Sequence, residues 1–150
     1  MELEKLIAEL NGKAIKREFS GNLEYPDLSK TQKELLKKYR PERAFIVYGT
    51  LGPGGPNHYF VENISGEWYK GFVNGSLESG GWGADLGYNG FRHTDAGNQQ
   101  QIKAAVLVSD HMSENWERLD EFEGDGYIRV LAKFELEDGK LGVGYIYALK

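Results

Sequence analysis

A chain of 150 residues is one domain's worth and buries about two thirds of its unfolded surface; without cysteine it has no disulfide, thiol nucleophile or cysteine-bound zinc. The net charge of −5 is uneven, since residues 1–43 carry 10 basic and 8 acidic side chains whereas residues 44–150 carry 8 and 15. A body that acidic repels phosphate backbones, which sets nucleic acid aside as a partner despite 7 Phe and 9 Tyr.

The opening MELEKLIAEL alternates acids with apolar residues and has neither a basic n-region nor a small-residue cleavage site. No apolar run reaches membrane-spanning length, so a cytoplasmic protein with no membrane segment is expected. Residues 2–10 and 29–40 read as short amphipathic helices, the second with Ser29 or Thr31 as N-cap and lysines in its last turns. Tyr25-Pro26-Asp27 breaks the chain between them, and Pro41 ends the region. Leu35, Leu36 and Tyr39 would pack this helical arm on the body.

Ala44 to Val47 then reads as a buried strand and Ile102 to Val108 as a second apolar run. Between them, residues 71–97 are rich in glycine and predict extended loop with short edge strands rather than a core strand. Near the C-terminus, Ile128 to Leu136 and Leu141 to Leu149 both alternate around Asp138-Gly139. A two-residue type I′ turn there would pair residue 136 with 141, 134 with 143 and 130 with 147, bringing both apolar sets to one face.

The first strand runs into YGTLGPGGPNH. As a phosphate loop it fails, because Gly55-Pro56 stands where Lys and Ser/Thr should be; the G-x-G-x-x-G of a dinucleotide site is absent too. Two readings stay open: a tight turn that ends the strand, or a nest of backbone N–H groups around the oxygens of a small ligand, flanked by Tyr48 and Thr50.

The segment SENWERLDEFEGDGYIRV predicts a helix that Ser113 caps and Gly124 stops. At about 100° per residue, Glu123 falls about 20° from Trp116, inside the arc of Met112 and Leu119. Glu114, Glu117 and Glu121 point away from it, and Asp120 lies at its edge. An inward carboxylate is paired, with Arg129 as the nearby partner, or it is protonated, or it does acid/base work. A calcium loop from Asp120 is excluded, since Phe122 and Gly124 cannot ligate. His58, His93 and His111 show no metal-ligand spacing, and no serine sits in a G-x-S-x-G elbow. What remains for chemistry is a loop of backbone donors and one inward glutamate.

In that combination the chain resembles the γ-glutamylcyclotransferase-like superfamily, in its avirulence-induced-gene-like branch. Tyr48-Gly49-Thr50-Leu51 with Asn57 carries one motif; Leu119-Asp120-Glu121-Phe122-Glu123-Gly124 with Tyr127 carries the other; a looser match lies around Leu86-Gly87-Tyr88. The resemblance implies an α+β fold, with a mixed β-barrel and surrounding helices over residues 44–150 and residues 1–43 as an N-terminal helical extension. It implies an enzyme for small γ-glutamyl amines or amides, in which the α-amine attacks the γ-carbonyl and releases 5-oxoproline and a free amine. Glu123 would move the protons, Tyr48, Gly49, Thr50, Leu51, Asn57 and Tyr127 would hold the substrate, and neither metal nor cofactor is called for. The contrasting expectation is a non-catalytic binding module or metabolite sensor, with Trp82, Tyr88 and Phe91 as a stacking surface for sugar or peptide.

Overall fold

The computed structural model describes residues 2–16, 21–49, 51–79, 89–94 and 99–150. In chain order they form α1 (Glu2–Lys13), β1 (Ile15–Lys16), β2 (Leu23–Glu24), α2 (Lys30–Tyr39), β3 (Ala44–Val47), β4 (Glu67–Ser79), β5 (Asn89–Arg92), β6 (Gln100–Val108), α3 (Trp116–Glu123), β7 (Tyr127–Leu136) and β8 (Leu141–Leu149). Short 3₁₀ turns precede β3, interrupt the loop after it and precede α3.

Five strands close into a mixed barrel. β6 pairs antiparallel with β3 and β4, β4 with β7, and β7 with β8; the parallel contact of β3 with β8 at Phe45 and Tyr145 completes the ring. β5 lies outside it, antiparallel to the far half of β4 and touching β8 at Phe91 and Ala148. Alternation sorts the apolar residues into two layers. Ile46, Val73, Phe91, Val106, Phe134 and Ile146 belong to a cluster drawn from strands alone, which is the barrel interior. Phe45, Leu107, Leu131 and Tyr145 face the other way and meet Leu10, Leu35, Trp116 and Leu119 of the helices.

α2 begins with a capping box: the Ser29 hydroxyl accepts from the Gln32 N–H while the Gln32 side chain accepts from the Ser29 N–H. Leu35 is buried and Leu36 and Tyr39 are half-buried against the core, as their spacing predicts. The arm also contributes Ile7 and Leu10, which are 3% and 0% exposed in that same cluster.

Three expectations need correction. The C-terminal hairpin exists, but Glu135 pairs with Leu141 and Val130 with Ile146, one place from the expected register. The loop has three residues, closed by Gly139 N–H to Leu136 carbonyl at 2.9 Å, and Gly139 adopts the left-handed φ of 89° that such a loop requires. A slip of one place exchanges faces. It is tolerated because the helices cover the outside of β8 and the barrel encloses its inside: Tyr145 and Tyr147 face the helices, Ile146 and Ala148 the interior. The glycine-rich stretch is not all loop and edge either, since residues 71–79 continue β4, which lies between β6 and β7. Gly71 is what lets β7 approach, because a Cβ there would collide with the Glu135 carbonyl. Finally, Ser113 does not cap α3. Asn115 N–H bonds the Met112 carbonyl at 2.9 Å, so the chain makes a 3₁₀ turn first and the helix opens at Trp116.

Candidate active site

Beyond β3 the chain enters a run of turns. The N–H groups of Gly52, Gly55 and His58 bond the carbonyls of Gly49, Gly52 and Gly55 at 3.2, 2.8 and 3.2 Å. No described residue accepts from the N–H of Gly49 or Leu51, and a Cβ on Gly49 would meet nothing within 4 Å. Backbone donors beside open space are what an approaching oxygen needs.

The side chains of this loop anchor it. Leu51 is 3% exposed in the core beneath the helices, so only its backbone is available, and its carbonyl accepts from His58 Nδ1 at 2.8 Å. The Tyr48 hydroxyl donates to the Tyr147 carbonyl and accepts from the Phe91 N–H, each at 2.8 Å, which ties the loop to β8 and β5. Asn57 stands further along, where its carbonyl accepts from the Phe60 N–H at 3.0 Å at the start of a 3₁₀ turn. Thr50 lies outside the described residues, as do Trp82, Tyr88 and the weaker match at Leu86-Gly87-Tyr88. Phe91 is fully buried in the barrel and offers no stacking surface, which corrects the role expected for it in a binding module.

α3 brings the glutamate to this loop. Trp116 and Leu119 are fully buried, and the Trp116 indole donates to the Glu42 carbonyl at 3.1 Å. Phe122 stacks on Phe60 at 4.4 Å while Arg118 donates to the Phe60 carbonyl at 2.7 Å, so the helix grips the far end of the glycine loop. Glu123 is the last helical residue, after which Gly124 turns the chain with a φ of 80°.

Among the described residues the Glu123 carboxylate has neither a hydrogen bond nor an ion pair. Burial, reinforced by the negative charge of Asp120, pushes its pKa up to about 7. Its charge acts in turn on Tyr48 and Tyr147, whose phenols are driven above their ordinary range mainly by burial. Tyr127, at the start of β7, is half-buried against the core and also acts on Tyr48. Glu123, Tyr48 and Tyr127 thus share one locality.

Arg129 does not pair with Glu123. Its Nε donates to Asp120 Oδ1 at 3.0 Å, and Asp120 also accepts from the Tyr147 hydroxyl at 2.6 Å and forms an ion pair with Lys16 at 2.7 Å. Sequence reasoning left this cluster out: Asp120 stood only at the arc's edge and Tyr147 only in the alternation of a strand. A cavity of about 640 Å³ lies between the arm and the C-terminal end of α3, lined among others by Asn11, Lys16, Asp120, Tyr127, Arg129 and Tyr147. Among the described residues, no three His, Asp or Glu side chains gather closely enough to hold a metal ion.

A carboxylate with a pKa pushed up to about 7 can take a proton near neutrality and give one back. Solved structures share the fold. YkqA from Bacillus subtilis superposes with a TM-score of 0.55 at 21% identity over 72% of this chain and 36% of that one, so the chain spans about a third of YkqA. An AIG2-like protein from Mus musculus gives 0.51 at 22% identity over 71% and 76% of the two chains. A structure described as gamma-glutamyl cyclotransferase gives 0.50 at 15% identity over 71% and 66%. A search of curated proteins returns no match. The model of one family, described as gamma-glutamyl cyclotransferase, AIG2-like, matches residues 45–150, and the chain belongs to that family.

Proposed function

We propose that the chain is a cyclotransferase that converts a small γ-glutamyl amine or amide into 5-oxoproline and the free amine, with Glu123 as the acid/base. The observation that carries this reading is the Glu123 carboxylate, half-buried, without a partner among the described residues and with its pKa pushed up to about 7. A buried carboxylate kept without a cation costs stability, and such groups concentrate at functional sites.

In the proposed reaction Glu123 takes a proton from the substrate's α-ammonium, and the freed nitrogen attacks the γ-carbonyl carbon. A C–N bond forms and the carbonyl oxygen becomes an oxyanion, which in this proposal the Gly49 and Leu51 N–H groups receive; that neither bonds a described residue supports the assignment. Protonated Glu123 then gives its proton to the nitrogen of the leaving amine; the oxyanion collapses, the C–N bond to that amine breaks, and the second proton of the ring nitrogen passes to the departing amine, so that 5-oxoproline keeps one N–H and the amine leaves as an ammonium. The glutamate ends as it began. Tyr48, through its bonds to β5 and β8, and Leu51, through the core, hold the loop at its distance from α3. Thr50, Asn57 and Tyr127 are the proposed remaining contacts to substrate.

Incubation with a panel of γ-glutamyl amines and amides, read by mass spectrometry for 5-oxoproline, tests the reading. Product from at least one substrate is expected. No product, with ligands that still raise the melting temperature, would make the protein a binding module. The proposal includes a cytoplasmic setting; among the described residues no helix is long and apolar enough to cross a membrane. It also keeps residues 1–43 as an extension of a domain over residues 44–150.

A further inference from the structure

The arm lies outside the segment that matches the family, yet it touches the helix that carries Glu123. That helix has eight residues, too few to hold by itself, and its negative end bears Asp120, Glu121 and Glu123 with no basic residue in the last turn. Trp116 and Leu119 fix its inner face. Its last turn is held by Phe122, stacked on Phe60 at 4.4 Å, and by the polar contacts of Asp120.

The Asp120 carboxylate, 10% exposed, accepts from Arg129 Nε at 3.0 Å and from the Tyr147 hydroxyl at 2.6 Å through Oδ1; Oδ2 faces Lys16 Nζ at 2.7 Å and Arg129 Nη2 at 3.3 Å. The Arg129 side chain is 3% exposed, stands 4.6 Å over the Trp116 ring and 4.8 Å over that of Tyr145, and donates to the Gly21 carbonyl of the arm. Tyr25 of the arm meets the Tyr145 hydroxyl at 2.6 Å. Two strands of the family-matched body, β7 and β8, and the arm therefore converge on one carboxylate of α3. We propose that Asp120 is the positioning residue for Glu123 and that the arm, through Lys16 and Gly21, completes the cluster that holds it, so residues outside the family-matched segment form part of the candidate site.

The inference rests on the acid/base reading of Glu123. Residues three apart on a helix are neighbours, and after burial Asp120 is the cause that raises the Glu123 pKa. Among the described residues, the other titratable groups that Glu123 acts on are the phenols of Tyr48 after β3 and Tyr147 on β8, with Tyr127 on β7 acting on Tyr48; the cations Arg129 and Lys16 act on Asp120.

The test is the titration of the Glu123 carboxyl carbon by NMR in the full chain, assigned through its loss in Glu123→Gln, at low ionic strength and with a melting curve for each variant. In Asp120→Asn a neighbouring negative charge is gone, so the midpoint should fall by up to about one pH unit. In Lys16→Met a cation is gone, so it should rise by a few tenths of a unit, roughly the reach of a half-exposed charge. Loss of Asp120 leaves Arg129 buried without its partner and threatens the fold. Lys16 is 46% exposed, so Lys16→Met carries the test alone if Asp120→Asn does not fold. Equal midpoints in wild type and in the folded variants would overturn the proposal. Tyr147→Phe should lower kcat about tenfold with KM changed less than about twofold, the pattern of a misplaced acid/base, whereas an unchanged kcat counts against it. Shifted midpoints without turnover even in wild type would sink the proposed reaction and leave the coupling supported.

Discussion

Replacing Glu123 with Gln should stabilise the protein, and more so as the pH rises. The folded pKa of about 7 stands above the 4.5 of a free glutamate, so the folded state holds this proton more tightly than the unfolded state does. Stability from this group is fully present below pH 4.5 and is lost as the pH rises through 7. At about 1.4 kcal/mol per pH unit, the loss is about 1 kcal/mol at pH 5.5 and levels off near 3 kcal/mol above pH 7.5. The amide introduced by Glu123→Gln does not titrate and removes the repulsion from Asp120, so the variant escapes this loss. Urea unfolding of both proteins at several pH values from 5 to 8 measures it, because every other titrating group cancels in the difference. The gap should widen by about 2 kcal/mol between pH 5.5 and pH 8 in favour of Glu123→Gln. A constant gap, or a variant less stable at pH 8, would refute the reasoning and show that Glu123 has a partner in solution.

Gly49→Ala should keep the melting temperature within a degree or two, since the added Cβ meets open space, while kcat/KM falls by about tenfold or more as the methyl crowds the loop N–H groups. Unchanged kinetics would make the loop a turn and nothing else. Tyr48→Phe removes the hydroxyl that joins the Tyr147 carbonyl to the Phe91 N–H, and denaturant unfolding should show a loss of about 1–3 kcal/mol; no loss would mean that this strut is idle. A chain beginning at Pro41 retains both motifs but forfeits burial of Ile7, Leu10 and Leu35, at about 1.5–3 kcal/mol each. It should melt far below the full chain, and an equal melting temperature would show that the arm is merely appended.

How far the sequence carried depended on how local each signal was. The strand Ala44–Val47, the Ser29 cap and the glycine that stops α3 are written in a few adjacent residues, and the structure has them in place. Glu123 stood out because a helix with Trp116 and Leu119 on its inner face turns that position towards the body, where the structure has it half-buried. The hairpin register was not legible in this way. Alternation selects a face only when the other face is wet, and β8 is buried on both, so Gly142 and Gly144, which looked like solvent positions, lie against Phe134 and Ala44. β4 was hidden for a related reason: its glycines accommodate neighbouring strands that no local window contains. The Asp120 cluster joins residues 16, 21, 120, 129 and 147, a set that only the closed fold assembles.

The most direct test of the central claim is turnover by Glu123→Gln of a γ-glutamyl substrate that the wild type converts, with Glu121→Gln as control on the exposed side of the same helix. The account predicts that 5-oxoproline release falls at least about 100-fold in Glu123→Gln and stays near wild type in Glu121→Gln, both proteins melting cooperatively. It also predicts that the acidic limb of the wild-type kcat/KM profile has its midpoint near the folded pKa of about 7. Near-normal release by folded Glu123→Gln would contradict it.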